Sequence, residues 1–195
     1  MEDAERKRLE ALVAKIAQSP DEESIKELAK IGPEALPAMR KAAEDHELGQ
    51  SSRDALLQVV ALMASEDPAP LLARIDDAGN YKEAVVWALG FADPALVTRP
   101  LIRLLHDPDD GVREAAARSL VRLHTPEAAE ALVPALDDSA RGVKFVAVEA
   151  LHDDDFFRLP EVRPRLQRLV SDRHLKEEET EMVRHAKEVL AAMER

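Results

Sequence analysis

The side chains that could perform metal chemistry are few and scattered. His46 and Glu47 form one His-Glu pair, and His152 precedes the consecutive aspartates Asp153 to Asp155. An oxygen-activating iron site needs at least two histidines and one carboxylate with open coordination positions, so one pair is insufficient. Contiguous acids could hold a hard cation, but at a helix end they more often form a solvated loop. We therefore predict no metal site.

Nucleophilic and phosphate-binding motifs are also missing from the sequence. The absence of cysteine excludes a thiolate nucleophile, a disulfide and a cysteine zinc site. There is no Gly-x-Ser-x-Gly elbow and no Gly-rich phosphate loop. The 39 acidic residues do not single out a general acid and base, because so many carboxylates on exposed helices pair by chance. The sequence thus predicts a non-enzymatic protein without a cofactor.

The composition restricts the classes of partner. The 195 residues carry a formal net charge of −12, whereas a duplex-binding surface needs a clustered excess of lysine and arginine. No apolar run approaches the ~18 residues that a membrane span requires, and the first ten residues lack the apolar core of a signal peptide. We expect a cytoplasmic protein that binds neither nucleic acid nor a membrane, and the lack of cysteine fits a reducing compartment.

Apolar periodicity predicts helices along the whole chain. Near the start, Leu9, Leu12 and Ile16 recur at three- and four-residue steps, and β-branched residues are scattered rather than alternating. Ser19 is the predicted N-cap of the second helix, and Ser51 or Ser52 that of the fourth. The pattern predicts roughly twelve helices in six pairs, with no sheet.

The middle of the chain repeats itself with a period of 31 residues. Matching residues recur at the following pairs of positions: Leu101 and Leu132, Leu105 and Leu136, Asp107 and Asp138, Gly111 and Gly142, Val112 and Val143, Arg113 and Lys144, Ala116 and Ala147, Leu120 and Leu151. A fixed period in this range indicates stacked supersecondary units rather than one closed core.

The segment from Val112 to Leu123 resembles the second helix of HEAT repeats, of the short type found in phycobilisome-lyase-like proteins. The resemblance is carried by Val112, Arg113, Ala115, Ala116, Leu120 and Leu123, after the acidic turn Asp107-Pro108-Asp109-Asp110. A basic residue begins the equivalent helix in four units, at Arg53, Lys82, Arg113 and Lys144. The resemblance implies an all-α, right-handed α-solenoid of about six HEAT-like helical hairpins.

This resemblance also implies the organisation of the chain. It is strongest over residues 33–151 and weaker at residues 1–32 and 152–195, as is typical of capping pairs at the ends of a single repeat array that spans residues 1–195. The basic residue of each long helix can meet acids in the turns, so we expect Arg113 to contact Asp107 or Asp138. We interpret this ladder of charges as structural.

The candidate site lies on the long helices, because these usually line the concave face of such an array. On each long helix we define an outward stripe of positions spaced four residues apart, which are Glu114, Arg118 and Arg122 in the best-matching unit. Aromatic residues stand at stripe positions that carry charge in other units, and large aromatics in a charged rim suggest a protein-binding hot spot. In the alternative interpretation, Trp87 or Phe91 packs into a gap between units left by Ala88 and Ala92. The predicted partner-binding residues are Trp87, Phe91, Glu114, Arg118, Arg122, Phe145 and Glu149.

The leading hypothesis for function is a protein-protein interaction scaffold or adaptor that binds a protein segment on its concave face. The alternative is a tetrapyrrole (bilin) lyase or chaperone-type subunit, which the resemblance to phycobilisome lyase repeats implies. Two other interpretations have less support. HEAT-like deoxyhypusine hydroxylases hold two irons with several His-Glu pairs, of which this sequence has one, and lesion-binding repeat proteins use a basic cleft. The partner and the oligomeric state are left open.

Overall fold

The computed structural model describes residues 3–45, 48–151, 160–171 and 180–194. These residues form twelve α-helices and three short 3-10 helices, and the described ranges contain no strand. The contacts divide the chain into two compact units, Met1–Pro100 and Leu101–Arg195. The division of the array into caps and central repeats stays a prediction.

The first unit is a stack of helices. Its helices are α1 (Asp3–Gln18), α2 (Glu22–Ile31), α3 (Leu36–Ala43), α4 (Gln50–Glu66), α5 (Pro68–Ala73), α6 (Lys82–Leu89) and the first part of α7 (Pro94–Leu104). Helix α2 packs against α4, and α4 packs against α6. The core between them is built from fully buried side chains such as Leu28, Leu56 and Leu89, which recur on one side of each helix.

The second unit repeats this arrangement. After the end of α7 it contains α8 (Asp110–Leu123), α9 (Pro126–Leu132), α10 (Arg141–Ala150), α11 (Val162–Ser171) and α12 (Thr180–Ala192). Helix α8 packs against α10, and α10 packs against α12. Ala116 on α8 and Ala147 on α10 are both buried, and such small side chains let helix axes approach to about 8–10 Å. The stacked helical hairpins confirm the predicted class, an all-α solenoid.

Two of the predicted helix starts are wrong, one because of a local hydrogen bond and the other together with a tertiary contact. The N-cap of α2 is Asp21, not Ser19, because the Asp21 carboxylate accepts a hydrogen bond of 2.9 Å from the Ser24 amide. The N-cap of α4 is Gly49. Ser52 is instead buried inside α4, where its hydroxyl donates a 2.8 Å hydrogen bond to the carbonyl of Ala17. Ser52 therefore serves one of the last carbonyls of α1, which have no partner within their own helix.

None of the described helices combines the length and the apolar composition that crossing a bilayer would require.

Candidate functional site

The first candidate surface lies on α6 and the turn that follows it. Val85, Val86 and Leu89 are buried, whereas Trp87 is only half-buried. The amide of Phe91 donates a 3.0 Å hydrogen bond to the carbonyl of Ala88, so a helical turn continues beyond Leu89. Phe91 thus stands one turn after Trp87, and 47% of its surface is exposed.

Trp87 and Phe91 form an aromatic pair. Their ring centroids lie 4.7 Å apart with an angle of 69° between the ring planes, which is the edge-to-face geometry that the ring quadrupoles favour. Ala88 and Ala92 are the buried residues beside them, so the small side chains face the interior and the large rings do not. The two rings therefore contact each other where α6 ends.

The charged side chains near this pair differ in their contacts. Lys82, at the start of α6, directs its ammonium group to Asp76 at 2.9 Å, and Arg53, at the start of α4, donates to the carbonyl of Leu48 at 3.1 Å. Lys82 thus meets an acid of a turn, as expected for the ladder of charges, whereas these bonds of Arg53 go to backbone carbonyls. Glu83, one turn before Trp87, is exposed, and its carboxylate contacts no cation among the residues that the structure describes.

The second candidate surface lies on α8 and α10. Arg118 donates to the Glu114 carboxylate through Nη2 at 2.9 Å and Nε at 3.1 Å. The same carboxylate lies over Gly142 in the first turn of α10, so close that a Cβ atom at Gly142 would overlap Glu114 Oε2. A carboxylate is stabilised there by the exposed amides and the dipole of the helix N-terminus. Glu114 and Arg118, both predicted to bind a partner, are thus bound to each other.

The remaining predicted residues of the second unit differ in exposure. Phe145 is half-buried, and its ring centroid lies 6.2 Å from that of His185 on α12. Glu149 and Arg122 are exposed on α10 and α8, and partial burial lowers the pKa of the Arg122 guanidinium. Arg122 remains charged at neutral pH, since an arginine pKa lies far above 7.

The basic residue of the ladder with the most complete set of partners is Arg113. It donates to Asp138 through Nε at 3.0 Å and Nη2 at 3.1 Å, and its Nη1 donates to the carbonyls of Asp107 at 2.9 Å and Pro108 at 3.2 Å. The expected contacts with the two turns are therefore present. Burial alone would raise the pKa of Asp138, but the hydrogen bonds from Arg113 and from the Ala140 amide outweigh it and hold that pKa below its ordinary value.

The candidate metal ligands lie elsewhere in the sequence. His46, Glu47 and residues 152–155 are outside the described residues. Across the ranges that the structure does describe, no three or more His, Asp or Glu side chains converge as the ligands of a metal ion would.

Two features of these surfaces were missed by the sequence reasoning. Leu96, in the first turn of α7, is 55% exposed and is the most exposed large apolar side chain of the described residues. It lies on the first helix of its pair, whereas the predicted site residues lie on the second helices of the pairs. The contact of Glu114 with Gly142 had a signal in the recurrence of glycine at positions 111 and 142, which marks a place where a side chain closely approaches the backbone.

We expect the substitution Gly142→Ala to reveal the contact with Glu114. Alanine in a helix is favoured over glycine by up to about 1 kcal/mol, but here the new methyl group displaces the Glu114 carboxylate. Gly142→Ala should therefore give little or no gain in the free energy of unfolding by itself and a gain of about 1 kcal/mol in the Glu114→Ala background. Urea unfolding of the parent, Gly142→Ala, Glu114→Ala and the double variant measures this coupling. Equal gains in both backgrounds would contradict the contact.

Comparison with known proteins agrees with the repeat pattern. Residues 68–152 match the family model for HEAT repeats, which confirms the predicted repeat type without distinguishing the phycobilisome-lyase kind. Among solved structures, a designed armadillo repeat protein in complex with the peptide (KR)4 is similar at 19% identity and a TM-score of 0.48, over 93% of this chain and 99% of that chain. Computationally designed armadillo repeat proteins for modular peptide recognition give the same values. No curated protein is similar in sequence.

Proposed function

We propose that this chain, a HEAT-type repeat protein, is a non-enzymatic scaffold that binds segments of other proteins on the outward faces of its long helices. The observation that carries the proposal is the edge-to-face pair formed by the half-buried Trp87 and the exposed Phe91. Large apolar rings on a soluble protein are normally covered, and those left accessible within a charged rim are typical of interaction sites.

The second unit offers its own candidate residues, on α8 and α10. Phe145, Arg122 and Glu149 provide a half-buried ring with an exposed charge of each sign, a combination suited to a polar segment with one apolar anchor. Glu114 and Arg118 act on this surface chiefly through each other, because their mutual hydrogen bonds compete with those to a partner. We expect them to shape the surface rather than to supply binding energy.

The proposal is tested by identifying partners through crosslinking and mass spectrometry in the native cell, and then measuring their affinity for variants. Phe91→Ala, Trp87→Ala and Phe145→Ala each remove an aromatic anchor. A hot-spot ring is worth at least about 2 kcal/mol, so truncation at the surface in use should weaken binding by roughly 30-fold or more.

The control is His106→Ala, which removes an exposed ring from the turn that follows α7. It should leave the affinity unchanged. Partners that bind all three aromatic variants as tightly as the parent would refute the proposed surfaces.

A further inference from the structure

We infer that the α4–α6 surface selects a protein segment that is both apolar and basic. This surface consists of Asp54 on α4 together with Glu83, Trp87 and Phe91 on α6 and its following turn. The inference rests on the proposed function and specifies the chemistry of the segment that this surface would take.

Every basic side chain of the two helices is engaged at a turn. Helix α4 contains one, Arg53, and helix α6 contains one, Lys82. The guanidinium of Arg53 donates to the carbonyls of Leu48 at 3.1 Å and Asp45 at 3.3 Å, and the Lys82 ammonium lies 2.9 Å from Asp76. Neither cation is directed at the outward face that carries the aromatic pair.

The charges that remain on the outward face are carboxylates. Asp54 and Glu83 occupy the same position in consecutive repeats, each directly after the basic residue of the ladder, and α4 packs against α6. Both are exposed. The neutral amide of Gln50 donates to Asp54 at 2.8 Å, and Glu83 contacts no cation in the described part of the chain. Their negative charge is therefore uncompensated within α4 and α6.

The aromatic pair stands next to these carboxylates. Glu83, Trp87 and Phe91 follow one another at four-residue spacing, so they lie along one side of α6. A lysine or arginine of a partner can lay its aliphatic stem on a ring while its charged head meets a carboxylate one turn away. An acidic segment would bring like charges together, which costs binding energy.

The corresponding positions on α8, in the second unit, have a different charge. There the stripe on α8 carries Arg118 and Arg122, two cations, after its single acid Glu114. The stripe on α8 therefore lacks the combination of rings with carboxylates, so the repeat pattern does not require it. On α10 the same positions carry one ring, Phe145, and one carboxylate, Glu149.

Trp87 provides the measurement, because it is the only tryptophan of the chain and is half-buried beside Phe91. Three synthetic peptides are titrated against the full chain: an amphipathic helix of leucine and lysine, the same peptide with glutamate in place of lysine, and a lysine-serine peptide. The leucine-lysine peptide should bind, change the Trp87 emission, and lose about tenfold in affinity as salt rises from 50 to 500 mM. The other two should bind at least about tenfold more weakly.

Matched charge variants distinguish this surface from the general acidity of the protein. The double variant Asp54→Asn and Glu83→Gln should lower the affinity for the leucine-lysine peptide about five- to tenfold. Glu44→Gln with Glu130→Gln removes the same number of charges from exposed positions outside α4 and α6. That control should change the affinity less than about twofold, because screened distant charges contribute little.

The outcomes separate the inference from the proposed function. Equal binding of the leucine-glutamate peptide, or equal losses in the two double variants, would overturn the selection for basic segments. The protein could instead keep its preference for the basic peptide while a native partner binds Phe91→Ala as tightly as the parent. That result would overturn the proposed role of Trp87 and Phe91 as the partner-binding site.

Discussion

Replacement of Arg113 by alanine should lower the free energy of unfolding by about 2–4 kcal/mol, because it leaves a largely buried carboxylate without its cation. The Arg113 and Asp138 side chains are only 13% and 14% exposed, and the two are joined by parallel hydrogen bonds. The substitution also leaves the carbonyls of Asp107 and Pro108 without the donor that now serves them. Arg113 connects the turn before α8 with the turn before α10, so its loss loosens two turns at once.

Arg118→Ala is the matched control for this prediction. Arg118 is on the same helix and also pairs with a carboxylate, but its side chain is 46% exposed. A pair in contact with water is worth no more than about 0.5–1 kcal/mol, so this variant should unfold at nearly the parental urea concentration. Arg113→Lys should fall between the two, because lysine keeps the charge and loses the planar fork. Equal stability of Arg113→Ala and Arg118→Ala would contradict the structural role of the ladder.

The ion pair of Arg113 and Asp138 also predicts how the difference in stability between the parent and Arg113→Ala depends on pH. The pKa of Asp138 is lower in the folded chain than its ordinary value, since the hydrogen bonds from Arg113 and Ala140 outweigh burial. A group with a depressed folded-state pKa contributes its full stability above the unfolded-state pKa, about 3.9 for aspartate, and loses it as the pH falls through the folded-state value. The stability gap between the parent and Arg113→Ala should therefore shrink as the pH falls below about 4. Urea unfolding at several pH values measures that gap.

The parts of the fold that could be predicted from sequence are those encoded locally. Helices and their pairing follow from apolar spacing within ten to twenty residues, and the 31-residue repeat indicates that the pairs stack. The caps were predicted less well. Ser52 has the residue type of an N-cap, yet its hydroxyl serves Ala17 in a different helix. Residue type alone cannot decide between these two uses, because the second partner becomes visible only when α1 and α4 pack together.

In the candidate site, too, the features encoded locally could be predicted and those that depend on tertiary packing could not. The stripe positions of Trp87 and Phe91 follow from repeat alignment, and both side chains retain exposed surface in the structure. The neighbours of Phe145 could not be obtained in this way, because His185 belongs to α12, whose sequence departs from the repeat. Alignment identifies equivalent positions only where the repeat persists, and a contact with a divergent last helix depends on the packing of α12 against α10.

The core of the second unit should be most sensitive at Leu120. We expect Leu120→Ala to lower the free energy of unfolding by about 3–4 kcal/mol, because the substitution removes apolar contacts and leaves a cavity that close-packed helices fill only partly. Leu120 is 0% exposed, as are its repeat equivalents Leu89 and Val60. The buried position thus persists along the array even where the surface residues change from charge to aromatic.

Leu96→Ala is the control for this core prediction, since it deletes the same atoms from a side chain that is 55% exposed. Its effect should stay within about 0.5 kcal/mol, as is usual for surface substitutions. Urea unfolding followed by far-UV circular dichroism measures both variants. A loss below about 1 kcal/mol for Leu120→Ala would mean that α8 and its neighbours collapse into the vacated space, which is contrary to the rigid packing expected of buried leucines in close-packed helices. In that case the repeated leucines would record shared ancestry of the units more than a requirement for stability, and the stability of the stack would depend chiefly on turn contacts such as those of Arg113.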